Sequence, residues 1–451
     1  MATPYQIRVS PRDTGLLAVE QDEAAAAKVS ELLQKDLESH HVFFNDEGFH
    51  NHISHHLLTL YGTGASPAAL QEAYDANTAY QLKAHEPTRG LAVVDELEAD
   101  WPAHAPRYLG QDQHYADFLR YFQRRMERSE GRGGWEAVVK DHLLADTPAA
   151  LDMRGRLYAG FLHPLIQLMY GIEWHQPAMV AEGLAQAAVH EARIGDFMAK
   201  VDDAAAASPP PAQQRPLAEM LEKMRSEHPK LAASARWEDP NRIYDGVLAR
   251  AEPEAVALLA GIRVRPDDDL AERTAEMVHC AAYVAAAAAC NPPYEPKFDF
   301  FLIHHLTSAP FFLTLNKLDW VPTASKARLL EWKLRMDVLQ YLARGCPPLR
   351  REALQTPGPD SHDKAGGSHL VPRFHRVVDD GHTIKVVRAL LLAQRESQAW
   401  PGRPWIRIAD DDAWRRVMHL LLASVEGKPA QLWVRSAGFD EAWKDIPKAS
   451  L

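Results

Sequence analysis

Cysteine is nearly absent: 451 residues hold Cys280, Cys290 and Cys346 and no CxxC pair. That count excludes a disulfide framework and suits free thiols in a reducing cytosol, so a cytoplasmic location is expected. Dinucleotide and nucleotide fingerprints are missing too. No GxGxxG follows a strand pattern, and no GxxxxGK precedes Ser or Thr, so neither a Rossmann site nor a P-loop is supported. Neither GxSxG nor HExxH occurs, which weakens the serine hydrolase and zincin readings. The longest apolar run, "CAAYVAAAAAC", is too short and too rich in alanine to span a bilayer, and the first residues lack the pattern of a signal peptide. Basic surplus is absent as well. A net charge of −11 argues against nucleic-acid binding, which needs a basic face.

What remains is an ordinary globular composition, 46% hydrophobic and 25% charged, with helical periodicity throughout. Residues 22–41 put Leu32, Leu33 and Leu37 on one side of a helix. Ser66 and Pro67 open another as N-cap and first helical residue. Further helices are expected near 113–128, 133–144, 150–171, 177–201, 216–227, 240–261, 267–290, 298–314, 323–345, 368–395 and 410–424. The one strand candidate is "AQLWVRSAG" near the C-terminus. The chain therefore reads as all-α, a large multi-helix bundle forming a single domain over 1–451. Surface loops are expected at 204–216, where Pro209 to Pro211 bar a helix, and at 349–368. Alanine-rich helices such as 280–290 can pack within the chain or across a homodimer.

Histidine is the chemical anomaly, with 22 copies. "FHNHISHHLLTLYG" places His50, His52, His55 and His56 at the start of an apolar helix. His52 and His56 are four apart and share a face, so their imidazoles can bind one cation. The alternative is a polar helix start with partly exposed histidines. His163 lies in "GRLYAGFLHPLIQLMYGIEW", and His304 and His305 lie in "FDFFLIHHLTSAPFFL" between pairs of phenylalanines. Each alone reads as a core histidine bonded to backbone; together they suggest a shared metal, because every buried imidazole needs partners. His190 and His279 fall on alanine-rich helices and read as satisfied core residues; His175 is structural or lines a pocket. His50, at the outer end, reads as surface.

In "VVDDGHTIKVVRALLLA", His382 and Lys385 are three apart on a helix capped by the Asp379–Asp380–Gly381 turn. A lysine among Ile384, Val386 and Val387 has its pKa pushed down, and a neutral amine can take up carbon dioxide as a carbamate, an anionic oxygen ligand. Spacing alone favours the alternative, in which Lys385 reaches solvent or pairs with Asp379 or Asp380.

"FHNHISHHLLTLYGTGASP", "LHPLIQLMYGIEWHQPAMVAEGLAQAAVH", "FDFFLIHHLTSAP" and "DDGHTIKVVRAL", in that order over residues 49–391, together resemble the questin oxidase-like family of fungal aromatic polyketide pathways. The resemblance implies an oxygenase that opens a ring of an anthraquinone-like substrate with dioxygen. The family has been described in Baeyer–Villiger terms with NADPH. A non-haem iron centre held by histidines and a carboxylated lysine fits a chain without dinucleotide fingerprints better, since imidazole and carboxylate-type oxygen suit iron. Carried over by position, the metal candidates are His52, His56, His163, His304, His382 and Lys385, with His55 and His305 as adjacent alternatives. That is one ligand more than needed, and His382 is the one expected to orient rather than bind. Phe43, Phe44, Trp174, Phe300 and Phe301 are candidates for lining the aromatic substrate, and no catalytic residue is assigned. Three rivals remain: a metal-dependent hydrolase, a facial triad with Glu173 or Asp299 as its carboxylate, and a helical binding protein without catalysis.

Overall fold

The computed structural model describes residues 1–45, 47–209, 211, 214–355, 367–428 and 431–449. Among them helices dominate and no strand occurs; only isolated bridges are found, one joining Asp299 to Val434. The strand candidate near the C-terminus therefore reduces to a single bridge at Val434, with Ala430 outside the described residues. No helix is long and apolar enough to cross a membrane.

By its contacts the chain divides into two compact units, neither of them continuous. The first comprises Met1–Met198, Leu313–Ser325 and Val378–Lys385; the second comprises Ala199–Phe312, Lys326–Val377 and Val386–Leu451. Of the expected loops, 204–206 belong to the helix Arg193–Ala206, and Arg351–Gln355 form a short helix inside 349–368. Residues 356–366 lie outside the described residues.

Side-chain caps set many helix starts, at Ser66 as the sequence predicts. Asp22 accepts from the Ala25 N–H at the head of Glu23–Ser39, and Ser66 accepts from the Ala69 N–H ahead of Pro67–Thr78. Several long predicted helices are in fact broken. The 150–171 segment splits into Pro148–Arg156 and His163–Glu173, because Phe161 and Leu162 take left-handed φ angles of 54° and 68°. Pro164 at the second position of the new helix makes that start favourable. The 177–201 segment breaks after Val189, and the 368–395 segment breaks before His382.

In the first unit, His163–Glu173 packs closely on Pro177–Val189. A Cβ at Gly171 would stand 2.6 Å from the Val180 nitrogen, and one at Gly183 would stand 2.6 Å from the Leu168 nitrogen. Only glycine permits two backbones to approach so closely. The Ile53–Gly62 helix, buried along its whole length, is set against His163–Glu173 of this pair and against Glu23–Ser39 and Pro67–Thr78.

Candidate metal centre

Three histidines of the first unit converge. His52, His163 and His382 each offer a ring nitrogen, and these atoms all lie within 4.8 Å of one another. All three are buried, and all three begin helices: His52 is the N-cap of Ile53–Gly62, and His163 and His382 are first residues of theirs. The positive ends of helix dipoles disfavour imidazolium. Burial, with the Lys385 charge second, pushes His52 down to about 3 even though Asp380 works the other way.

Hydrogen bonds fix which nitrogen of each ring carries its proton. His163 Nδ1–H donates to the Gly160 carbonyl at 2.6 Å, an oxygen that can only accept. His52 Nδ1–H donates to Asp380 Oδ2 at 3.0 Å, and His382 Nδ1–H donates to Asp380 Oδ1 at 2.5 Å. A ring that carries a single proton therefore presents Nε2 as its lone pair. His52 Nε2 and His163 Nε2 lie 2.8 Å apart. Two lone pairs at that distance repel unless a proton or a metal ion lies between them. With metal–nitrogen bonds of about 2.1 Å, two ligands at right angles stand about 3 Å apart, so the donor set fits a transition-metal ion.

The turn before His382 divides its labour. Asp379 accepts from the Gly381 and Thr383 N–H groups and so caps the helix as predicted, leaving Asp380 for the two imidazoles. Burial alone would raise the Asp380 carboxyl, but His382 and His52 outweigh it and hold it well below the usual carboxylate range. Lys385 is 2% exposed, so it does not reach solvent, and burial brings it down to about 8. His56 is buried with Gly381 against its Cβ and is pushed down to about 4, by burial first. It lies outside the converging set of three.

The neighbouring histidines have different tasks. His55 donates its Nε2–H to Gln167 Oε1 at 2.5 Å, and that oxygen also accepts from Ser54. Gln167 in turn donates to Glu182 Oε2, and His55 Nδ1 has no partner among the described residues. His50 is not a surface residue: it is 5% exposed, stacked on His163 at 4.1 Å and 6°, with its Nε2 3.0 Å from His190 Nε2. Gly160 makes room for this layer, since a Cβ there would meet the His190 ring at 2.3 Å. Phe43 sets its edge against His50 at 5.1 Å, whereas Phe44 packs on Phe49 and Tyr80.

Two further candidates of the first unit lie away from the cluster. Trp174 follows His163 by eleven positions along one helix, about 16 Å at 1.5 Å per residue. It lines a separate cavity of about 780 Å³ together with Tyr5, Trp135 and His175. Glu173 lies at that same far end and accepts from the Leu16 N–H, which removes it from a triad with His163. His304 and His305 belong to the second unit: His304 Nδ1–H donates to the Phe300 carbonyl, and His305 pairs with Asp337. In that unit Phe300 lies under Arg435 and Phe301 under Arg344. Asp299, the other triad carboxylate, accepts from the Phe301, Leu302 and Ala437 N–H groups and is a structural cap. His279 is the satisfied core histidine expected, bonded to Ser397 and to the Arg407 N–H.

Sequence reasoning missed Asp380 and His50 as parts of the site. The Asp-Asp doublet was the available signal for the first, since a single aspartate suffices as a cap; for His50 the signal was its place in the histidine-rich run.

The sequence profile of the questin oxidase-like family matches residues 49–390. Oxidoreductase AflY of Aspergillus parasiticus is 35% identical over 481 residues, covering 99% of this chain and 94% of its own length. Baeyer-Villiger oxidase ptaJ of Pestalotiopsis fici is 33% identical, with 99% of each chain covered. Questin oxidase of Aspergillus fumigatus is also 33% identical, covering 99% of this chain and all of its own. Named oxidoreductases thus align from end to end with a chain whose profile match contains His52, His163, Asp380 and His382, and the protein is an oxidoreductase belonging to the questin oxidase-like family.

Proposed function

We propose that this oxidoreductase is a metal-dependent oxygenase, with non-haem iron as its metal, which cleaves a ring carbon–carbon bond of an anthraquinone-like aromatic polyketide using dioxygen. One observation carries the metal: the Nε2 atoms of His52 and His163 lie 2.8 Å apart within a buried group of three histidines, with their other nitrogens committed to oxygen. The family membership carries the reaction class, through relatives named questin oxidase and Baeyer-Villiger oxidase. Those names describe an oxidation and leave its cofactor open. The absence of a dinucleotide fingerprint weighs against the NADPH reading.

In this reading His52, His163 and His382 hold the ion and Lys385 supplies an anionic oxygen once carboxylated. Its neutral amine forms a bond to the carbon of carbon dioxide and releases a proton, which a buried lysine at about 8 favours. An iron ion so held supplies the activation of dioxygen beside an electron-rich ring. The chain's own part is to keep the imidazoles neutral, fix their tautomers and present an apolar wall through Phe43 and Tyr170, whose ring stacks on His55 at 5.4 Å.

Oxygen uptake by iron-loaded protein with a hydroxyanthraquinone tests the proposal. Uptake abolished by chelation is the expected result. Ester cleavage without oxygen consumption would replace the oxygenase with the hydrolase.

A further inference from the structure

We propose that Asp380 is a positioning residue that sets the tautomers of two metal-binding imidazoles at once; this rests on the metal reading above. One carboxylate spans the pair, with Oδ2 facing His52 Nδ1 at 3.0 Å and Oδ1 facing His382 Nδ1 at 2.5 Å. The two rings meet edge to face with centroids 4.6 Å apart. An ionised carboxylate only accepts, so both Nδ1 atoms must carry hydrogen, and a ring with a single proton then has a bare Nε2. Asp379 already caps the helix, so capping does not explain the second aspartate.

The two obvious substitutions should therefore rank against ordinary expectation. In Asp380→Asn the side chain keeps its shape but has one acceptor and one donor. Its amide donates to one of the two rings, which must then accept through Nδ1 and carry its hydrogen on Nε2. That N–H points into the cluster and blocks the ion. In Asp380→Ala both rings are released; a third of the Asp380 side chain is exposed, so water can take its place and each ring can still present a bare Nε2. A role in folding alone would make the isosteric amide the milder change, whereas tautomer control makes it the more damaging one, as with an aspartate that orients a catalytic histidine.

Two readouts test this. Titration with iron(II) under anaerobic conditions should show affinity about 10- to 100-fold lower for Asp380→Ala, the usual cost of removing an outer partner, and lower still for Asp380→Asn. Nitrogen-15 NMR of the metal-free protein should show His52 or His382 changing tautomer in Asp380→Asn, and wild-type tautomers with Nδ1–H on both rings. An amide variant that binds iron(II) at least as well as the alanine variant, with unchanged tautomers, overturns the proposal. The NMR arm needs no metal. If wild-type protein binds no iron(II), the metal reading falls while the tautomers still decide for or against Asp380; thermal unfolding identifies a variant that fails to fold, and the wild-type tautomers then decide.

Discussion

His52 Nε2 faces His163 Nε2 at 2.8 Å while the remaining nitrogen of each ring donates to an acceptor, Asp380 on one side and the Gly160 carbonyl on the other. In a core meant only to be filled, this arrangement carries the cost of opposed lone pairs, and hydrogen bonding would relieve it by a change of tautomer. The partners forbid that change. A metal ion or a proton between the two nitrogens relieves that repulsion, and four predictions can be measured.

Removing one member of the pair removes the site. His163→Ala should weaken metal binding by at least the 10- to 100-fold that loss of an outer partner causes, and activity should fall with it. Metal content of the purified variant, measured beside its unfolding curve, checks this. Wild-type metal content in a folded variant contradicts it and returns His163 to the role of a core residue.

Lys385→Ala should lose metal and activity together, and a short carboxylate added to the buffer should restore part of both by standing in for the carbamate. Carbon-13 NMR of wild-type protein equilibrated with labelled bicarbonate should show a carbamate carbon that is missing in the variant. Full activity and full metal content in Lys385→Ala would leave the lysine a structural residue.

Gly381 is the hinge of the Asp380–His382 turn. Its φ is 90°, and a Cβ there would stand 2.6 Å from the His56 side chain. Gly381→Ala should cost about 1–3 kcal/mol for the left-handed backbone alone, with the clash adding to it. Chemical unfolding measures the loss. A change below about 0.5 kcal/mol would show that the turn can shift, and in that case metal affinity should fall instead.

Acid should destabilise the protein from near pH 6 downward, above the range of ordinary carboxylates. Burial pushes His41 and His142 down to about 4 and His279 to about 3, whereas an unfolded histidine titrates near 6.5. Their stabilisation is complete above that value and is lost as pH falls, because the unfolded chain takes up protons first. For His142 the loss is about 2 kcal/mol between pH 7 and pH 5. Glu182 acts in the opposite sense: raised to about 8 by burial and then by Asp36, it costs stability as pH rises. Glu182→Gln removes the opposing contribution, so melting temperature should fall more steeply with acid in the variant. Flat profiles in both proteins would contradict the assignment.

Much of this was legible in the sequence, and the misses share causes. Helix class and most starts could be read from periodicity and caps, such as Ser66 before Pro67. The break before His163 was missed although Pro164 marks a helix start just as Pro67 does, because the apolar run around it read as one continuous helix. The histidines of the cluster were found by their apolar settings, but His50 was misjudged as surface. A residue three positions before a helix has no periodicity to report its burial, and the stack of His50 on His163 joins residues more than a hundred positions apart. Asp380 was read as part of a cap, and only the structure shows Asp379 capping alone. Trp174 and Glu173 looked close to His163 along the chain and are separated by the length of their helix.

The most direct test is a metal-edge anomalous diffraction map of crystals grown from iron-loaded protein. A peak about 2.1 Å from the Nε2 atoms of His52, His163 and His382, with the Nδ1 atoms of His52 and His382 still on Asp380, is the result this account predicts. The same nitrogens bridged only by hydrogen bonds, with no anomalous peak among them, would contradict it.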